Sequence, residues 1–199
     1  AFSLATVFCT AKIYASLKTI RQWNHLLVVP IYLIIGLFDG AIFLMVLLTI
    51  IDGLQFFQLN YFIIFLGAVA GLAKILYWWS IDSTQSQSNT STATGLGSSN
   101  KSVSMLDAPT TSETFIMREM GFAIARKHSR RLRFITILTL SIIPIIIIFL
   151  MTQPIALVSP MVLGIIAILF SYFGTIIERW LFFAEAKHVA MLYYGASKV

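Results

Sequence analysis

Four long apolar runs limit what this chain can fold into more than any other feature. They are residues 26–51, 56–79, 134–151 and 160–183. A helix needs about 20 mostly apolar residues to cross the hydrocarbon core of a bilayer. Because backbone polar groups cannot remain unpaired in lipid, runs of this length predict helices. We therefore predict an all-α integral membrane protein with four full transmembrane helices.

The composition supports this class. Of the 199 residues, 58% are hydrophobic and 11% are charged, whereas soluble domains carry about 25% charged residues. The apolar residues 1–10 are interpreted as the end of a truncated fifth helix, so that residues 1–199 form a single transmembrane domain from a longer chain. The net charge of +6 does not indicate nucleic-acid binding, because in membrane proteins the position of each positive charge matters more than the sum.

Positive charges alternate between the connections. Lysine and arginine occur in residues 11–25, in residues 80–133 and in the C-terminal tail, and are absent from residues 52–55 and 152–159. Cytoplasmic loops of membrane proteins carry the excess of these residues. The pattern predicts a multi-pass protein of the bacterial inner (cytoplasmic) membrane, with its basic loops and C-terminus in the cytoplasm.

The long stretch between the second and third spans has two parts. Residues 80–109 are rich in serine, threonine, glycine and asparagine, which predicts a flexible linker. Thr110 and Glu113 then have capping-box spacing, and residues 110–133 read as an amphipathic basic helix on the membrane surface. This helix would either anchor the chain to anionic membrane lipid or dock a partner subunit.

Metal and haem sites are not predicted in this chain. The three histidines, His25, His128 and His188, lie at or beyond the span ends on the basic side, so no facing pair could hold a haem. The single cysteine, Cys9, excludes an intramolecular disulfide and a cysteine-based cluster. Ligand spacings typical of metal sites are absent. We also predict no catalytic residue.

Asp39 is the most deeply placed charge. It lies about 13 residues into the first predicted span, or roughly 20 Å along the helix. A charge in hydrocarbon is costly, so such a residue faces a protein interior or a wet cavity. Two interpretations are open. Asp39 is either a proton-carrying or quinol-facing carboxylate, or a protonated or hydrogen-bonded acid packed between helices beside the small residues Gly36 and Gly40.

Other charges lie closer to the basic side. Lys74 is expected to extend its side chain to the headgroups, and a depth difference of roughly 12 Å argues against a pair with Asp39. Glu178 and Arg179 are adjacent and should point to different faces of the last span, so each is expected to need its own partner from another helix, a ligand or water. Lys187 is expected to be solvated.

Several segments together resemble a known family. They are "CTAKIYASLKTIRQWNH" (9–25), "TGLG" (94–97), "LDAPTTSETFIMREMGFAIARKHSRRLR" (106–133) and "ERWLFFAEAKHVAMLYYG" (178–195). In order and loop length they are similar to the membrane-anchor subunit family of dimethyl sulfoxide reductase, over essentially the whole chain.

The resemblance implies the C-terminal half of an eight-helix anchor without haem. Such anchors oxidise menaquinol in anaerobic respiration and pass electrons to a four-cluster iron–sulfur subunit, which feeds a molybdopterin catalytic subunit. The best-known quinol-site residues of the family, a His and a Glu, belong to the N-terminal half and have no counterpart here. Family topology also implies a periplasmic long loop. The charge pattern predicts a cytoplasmic one, and we keep the prediction from charge.

A quinol site needs a slot for a flat ring, and a group that accepts a proton. Candidate walls of the slot are Trp180, Phe182 and Phe183. The candidate quinol- or partner-facing residues are polar groups of the spans or of their basic-side ends: Glu178, Arg179, His188, Lys74, His25 and Asp39.

Two alternatives to a quinol-linked anchor are open. A membrane transporter or channel subunit would carry charges near mid-bilayer on several helices, a pattern that only Asp39 fits. A purely structural anchor would recruit soluble subunits without touching quinol.

Overall fold

All regular structure in the described part of the chain is helical. The computed structural model describes residues 2–52, 57–84, 91, 94–95, 103, 106–107, 127–153 and 159–187. The helices are α1 (Phe2–Ala15), α2 (Val28–Asp52), α3 (Phe57–Ser83), α4 (Ser129–Ile137), α5 (Ile143–Met151) and α6 (Pro160–Ala184). A π-helical segment, Leu138–Ile142, joins α4 to α5 without a break, so these three pieces form one long helix.

Four helices are long and apolar enough to cross a membrane. They are Val28–Ile51, Phe57–Ser83, Ser129–Met151 and Pro160–Ala184. Their outer surfaces carry large apolar side chains that are more than half exposed, among them Phe43, Phe65, Phe149 and Phe173. So much exposed apolar surface is typical of a membrane-facing protein. The predicted all-α, multi-pass membrane fold, with a shorter apolar N-terminal helix, is confirmed.

Two helix ends differ from the bounds read from hydropathy. α3 continues to Ser83, and the third long helix begins at Ser129. Residues 129–133 of the basic run therefore start a spanning helix, which long arginine stems permit because they carry their charge outward from the backbone. Residues 110–126 of the predicted surface helix, which include Thr110 and Glu113, lie outside the described residues, as does most of the predicted linker.

The third long helix is held tightly between α3 and α6. A methyl group placed on Gly174 of α6 would lie 2.4 Å from the backbone nitrogen of Leu140, so the two backbones touch at this point. Toward α3, the Ser141 hydroxyl donates a hydrogen bond of 2.8 Å to the Gly67 carbonyl. Pro144 follows the π-helical segment, whose wider turn accommodates a residue that has no N–H and crowds the preceding turn.

The basic connections meet at one end of the bundle, which we call the basic end. The Trp23 indole N–H donates to the Phe182 carbonyl over 3.0 Å, and the Tyr77 hydroxyl donates to the Gln22 carbonyl over 2.8 Å. These bonds bring the connection before α2 against the ends of α3 and α6. In the described residues, the predicted grouping of basic connections on one side is confirmed. Trp23 itself is buried at this end.

Candidate functional site

A buried group of three charged side chains lies near the basic end. We call it the ion cluster, and it consists of Lys74 of α3 with Glu178 and Arg179 of α6. The Lys74 ammonium contacts one carboxylate oxygen of Glu178, and the Arg179 guanidinium contacts the other. The side chains of Lys74 and Glu178 are 2% and 0% exposed. With two cations and one carboxylate, the ion cluster has a formal excess of one positive charge.

This arrangement corrects two predictions. Lys74 does not extend to the headgroups, because Glu178 faces it at the same level and a desolvated ammonium needs a paired carboxylate. Glu178 and Arg179 also do not need separate partners. The flexible arginine side chain folds back to the carboxylate beside it, although the two residues point from different faces of α6. The prediction that Lys74 and Asp39 do not pair is confirmed.

Aromatic rings cover both cations of the ion cluster. The Lys74 ammonium is 4.4 Å from the ring centre of Tyr77 and 5.0 Å from that of Trp78. The guanidinium carbon of Arg179 lies 3.7 Å from the ring centre of Tyr32 on α2. A cation over an aromatic face is attracted by the ring quadrupole, most strongly where water is excluded. The rings therefore replace part of the hydration that the cations lose.

One arginine donor in this group has no acceptor. Nη1 of Arg179 is buried and makes no hydrogen bond with any described residue. A buried donor without an acceptor costs free energy, of the order of 1–3 kcal/mol. Because the Arg179 side chain as a whole is 24% exposed, the edge of the ion cluster can be reached from outside. The arrangement suits an acceptor oxygen that the described residues do not supply.

A narrow crevice runs beside the ion cluster. Its walls come from α2, α3 and α6: Val28, Ile31, Tyr32, Lys74, Tyr77, Arg179 and Phe182. The space is too narrow for a water molecule, so a ring-sized ligand could enter only if side chains moved. Of the predicted aromatic walls, Phe182 lines the crevice. Phe183 packs edge-on against Tyr14 and Trp23, and Trp180 is 42% exposed.

Asp39 lies deeper, between α2 and α6. Its carboxylate accepts hydrogen bonds from the hydroxyls of Ser171 and Thr175, the latter over 2.8 Å. Asp39 is thus a hydrogen-bonded acid between helices, as one of its two interpretations states. We expected Gly36 and Gly40 to let a neighbouring helix pack closely beside Asp39, and this expectation is wrong. A methyl group on Gly40 would meet nothing within 4 Å, and one on Gly36 would meet only Val7 of α1. The proton-carrying role stays a prediction.

His25 belongs to the basic end and not to the ion cluster. Its Nδ1 accepts the Leu27 backbone N–H over 3.2 Å, so the neutral ring carries its proton on Nε2 and donates to the Ser80 hydroxyl over 3.0 Å. Burial, and then the nearby charge of Arg21, lower the pKa of His25 below its usual 6.5. The His25 ring packs edge-on against Tyr77, which separates it from Lys74.

A second charge network closes the basic end, and the sequence did not predict it. Arg133, at the start of the third long helix, donates to Asp82 of α3 over 2.5 and 3.2 Å and to Glu185 over 2.7 Å. The Glu185 side chain is only 14% exposed because it pairs with Arg133. Lys187 is exposed, as predicted. His188 lies outside the described residues.

One signal in the sequence could have found the Lys74–Glu178 pair. Both residues lie within the last ten positions of spans that end on the same side of the membrane. Opposite charges at matching depth on two spans are candidates for a pair, because each lowers the cost of burying the other. The described residues contain no group of three or more histidine, cysteine or acidic side chains that could hold a metal ion. The predicted absence of haem and metal stays a prediction.

The chain is similar in sequence to a subunit of a known oxidoreductase. The chain is 30% identical over 193 residues to a protein named as a subunit of sulfite dehydrogenase from Allochromatium vinosum, across 96% of this chain and 57% of the relative. The chain therefore spans a little over half the length of the curated relative it matches. No protein-family model matches the chain, and no solved structure matches it. The match is to a subunit of an oxidoreductase, and the narrower resemblance to dimethyl sulfoxide reductase anchors stays a prediction.

Proposed function

We propose that this chain is a membrane subunit of an oxidoreductase complex, and that it exchanges electrons between menaquinol and an iron–sulfur partner subunit. The similarity to a sulfite dehydrogenase subunit supports membership of such a complex. The further parts of the scheme, a four-cluster iron–sulfur subunit and a molybdopterin catalytic subunit, rest on the family resemblance of the sequence.

The observation that carries the quinol proposal is the buried, unpaired Nη1 of Arg179 beside a cluster with excess positive charge. Conversion between quinone and quinol places negative charge on the ring oxygens whenever electrons and protons do not move together. Donors that are fixed in advance stabilise such charge, and exclusion of water strengthens the effect. Arg179 would donate to one ring oxygen, while Glu178 and Lys74 would hold the guanidinium in place.

The aromatic side chains near Arg179 suit a flat ring. Tyr32 and Phe182 line the narrow crevice, and their own rings lie 5.7 Å apart in an edge-to-face arrangement. A quinone ring that separated them would gain aromatic contacts on its faces and bring an oxygen to Arg179. Entry would run from the membrane between α2 and α6, where the Arg179 side chain is partly exposed.

The direction of electron flow depends on the rest of the complex. The family resemblance of the sequence favours oxidation of menaquinol. The name of the relative favours the reverse as a second candidate, because a dehydrogenase removes electrons from its substrate and must pass them on. The same donor serves both directions, since it stabilises the charged intermediate that they share.

Substitution of Arg179 in the intact complex tests the proposal. Loss of a donor to a developing oxyanion costs about 10²–10³-fold in rate. We expect Arg179→Gln to lower electron exchange with a menaquinone analogue by about that factor, in both directions. Arg179→Lys should retain part of the rate, because it keeps the charge and loses the planar fork. Arg131→Gln removes an exposed arginine at the same end and serves as the matched control.

Three results would reject parts of the proposal. An assembled Arg179→Gln complex with wild-type rates would reject the quinone site. Failure of the full chain to co-purify with any cluster-bearing subunit would reject the membership of an oxidoreductase complex, and would favour the alternative of a transporter or channel subunit. If the complex assembles but binds no quinone analogue, the purely structural anchor is the better description.

A further inference from the structure

We infer that Asp39, and not Glu178, is the carboxyl group that exchanges protons during the quinone reaction. This inference rests on the proposed function. A quinone that accepts two electrons from the iron–sulfur partner also takes up two protons to become quinol, and the reverse reaction releases both. A group near the ring must supply or receive those protons. The sequence offered both carboxylates as candidates, and their surroundings distinguish them.

Glu178 is held in its charged form. One of its carboxylate oxygens contacts the Lys74 ammonium and the other contacts the Arg179 guanidinium. Protonation of Glu178 would leave two cations buried without any counter-charge, which is among the costliest arrangements in a protein interior. Glu178 therefore positions Arg179 and Lys74 and is a poor proton acceptor.

Other titratable groups of the basic end already have ionic or hydrogen-bond partners. Asp82 and Glu185 both pair with Arg133. Both ring nitrogens of His25 make hydrogen bonds, and Tyr77 separates its ring from the ion cluster. Among the three acids of the helices whose side chains the structure describes, Asp39, Asp82 and Glu178, Asp39 is the one without a cation partner.

Asp39 is bound in a way that permits both protonation states. Its two partners, Ser171 and Thr175, are neutral hydroxyls. A hydroxyl can donate to a charged carboxylate and can accept from a protonated one by rotating its hydrogen. A proton can thus arrive or leave without stranding a buried charge.

The helices that pack against α2 bring no unpaired charge to Asp39. From α6, Glu178 and Arg179 lie one turn beyond Thr175, and their charges partly cancel. From α3, Lys74 is paired with Glu178 and Asp82 with Arg133, and the Tyr77 hydroxyl donates to the Gln22 carbonyl. From α1, the side chains of Cys9 and Lys12 are exposed at the surface, and the Tyr14 ring stacks on Tyr32.

A polar seam connects Asp39 with the ion cluster. We call it the α2–α6 seam, and it contains Tyr32 and Asp39 of α2 with Ser171, Thr175 and Arg179 of α6. The two helices run in opposite directions, so Tyr32 meets Arg179 while Asp39, about 10 Å deeper, meets Ser171 and Thr175. Protons would move along this seam between Asp39 and the ring oxygen at Arg179, through the Thr175 hydroxyl and water admitted when the crevice opens.

Infrared difference spectra of the intact complex, recorded between the oxidised and reduced states with a bound menaquinone analogue, test the inference. A protonated carboxyl group has a separate carbonyl band that shifts in heavy water. We expect the wild-type spectrum to contain such a band, and the Asp39→Asn spectrum to lack it. Electron exchange in Asp39→Asn should fall by about 10²-fold. Asp82→Asn, which removes an acid that is 59% exposed, should leave both unchanged.

Each outcome bears on the inference. An Asp39→Asn complex that assembles, reacts at the wild-type rate and keeps the band overturns the inference and leaves the proposed function intact. If Asp39→Asn does not assemble, Thr175→Val decides, because loss of its hydrogen bond should move the band, and an unmoved band overturns the inference. A wild-type complex that exchanges no electrons with the quinone analogue rejects the proposed function, and the inference falls with it.

Discussion

The basic end and the middle of the bundle are held together by different means. At the basic end, α3 and α6 are joined by the buried Lys74–Glu178 pair, and Trp23 donates a hydrogen bond to the end of α6. In the middle, the backbones of α6 and the third long helix touch at Gly174 and Leu140, with no charged side chain between them. The basic end is therefore stabilised by strong polar contacts between long side chains. The middle is stabilised by close backbone packing, which the glycine makes possible because it has no side chain.

The contrast follows from the properties of lipid as a solvent. Apolar side chains gain little by leaving lipid for a protein interior, so close packing and polar contacts must drive helix association. A polar contact selects which residues face each other, because a partner at the wrong level leaves a charge unpaired. A glycine sets how closely two helices approach. We therefore expect charge changes to act at the basic end and size changes to act in the middle.

The largest effect should follow removal of the shared carboxylate. Glu178→Leu leaves the fully buried Lys74 ammonium without its counter-charge, which typically costs about 3–5 kcal/mol. The free energy of unfolding, measured by denaturant titration in detergent micelles, should fall by that amount.

A double variant refines this prediction. Lys74→Met combined with Glu178→Leu removes the Lys74–Glu178 pair and fills a similar volume, so the stability lost at Lys74 should return, while Arg179, which is 24% exposed, still lacks its carboxylate. If Glu178→Leu alone costs well under about 1 kcal/mol, the ion pair does not hold the basic end together.

A smaller effect is expected in the middle from Gly174→Ala. The added methyl group would lie 2.4 Å from the Leu140 nitrogen, so the two helices must separate. Overpacking of this kind costs about 1–3 kcal/mol. The matched control is Gly40→Ala, where a methyl group meets nothing within 4 Å and helix propensity favours alanine. Thermal unfolding of both variants in the same detergent would measure the difference in stability. Equal melting temperatures for Gly174→Ala and Gly40→Ala would contradict the close approach at Gly174.

Trp23→Phe should destabilise the basic end by roughly 1 kcal/mol. The substitution keeps an aromatic ring against Phe182 and Phe183 while it removes the indole N–H that donates to the Phe182 carbonyl. Hydrogen exchange of the last turn of α6 would detect the change, because the weakened end should open more often. Unaltered protection there would mean that ring packing alone holds the connection before α2.

The smallest effect concerns pH. The fold lowers the pKa of His25 below 6.5, so the native state favours the neutral ring. Stability from this residue is complete above pH 6.5 and is lost as the pH falls below it, because the unfolded chain binds the proton more readily. The difference in melting temperature between His25→Gln and the parent chain should therefore shrink on acidification. A difference that does not depend on pH would assign the effect to hydrogen bonds of the ring alone.

Much of the fold could be predicted from local features. The apolar runs located the four spans to within a few residues, and arginine and lysine identified the connections that share one end. The candidate site was predicted only in part. Charges within spans are costly, and for that reason we named Lys74, Glu178 and Arg179 as candidates from the sequence. The sequence did not predict that these three side chains pair with one another. The Arg133 network was missed because an arginine in a basic run gives no sign of the acids that it binds.

Hydropathy and the position of charges are properties of the chain itself, so the sequence alone determined that this protein crosses a membrane several times and which connections lie together. The pairings depend on how each helix is rotated and how far it is shifted along its neighbour. Contacts between distant segments, such as Gly174 against Leu140, set those quantities. Only the tertiary structure therefore decided that Glu178 is enclosed by two cations while Asp39 meets two hydroxyls.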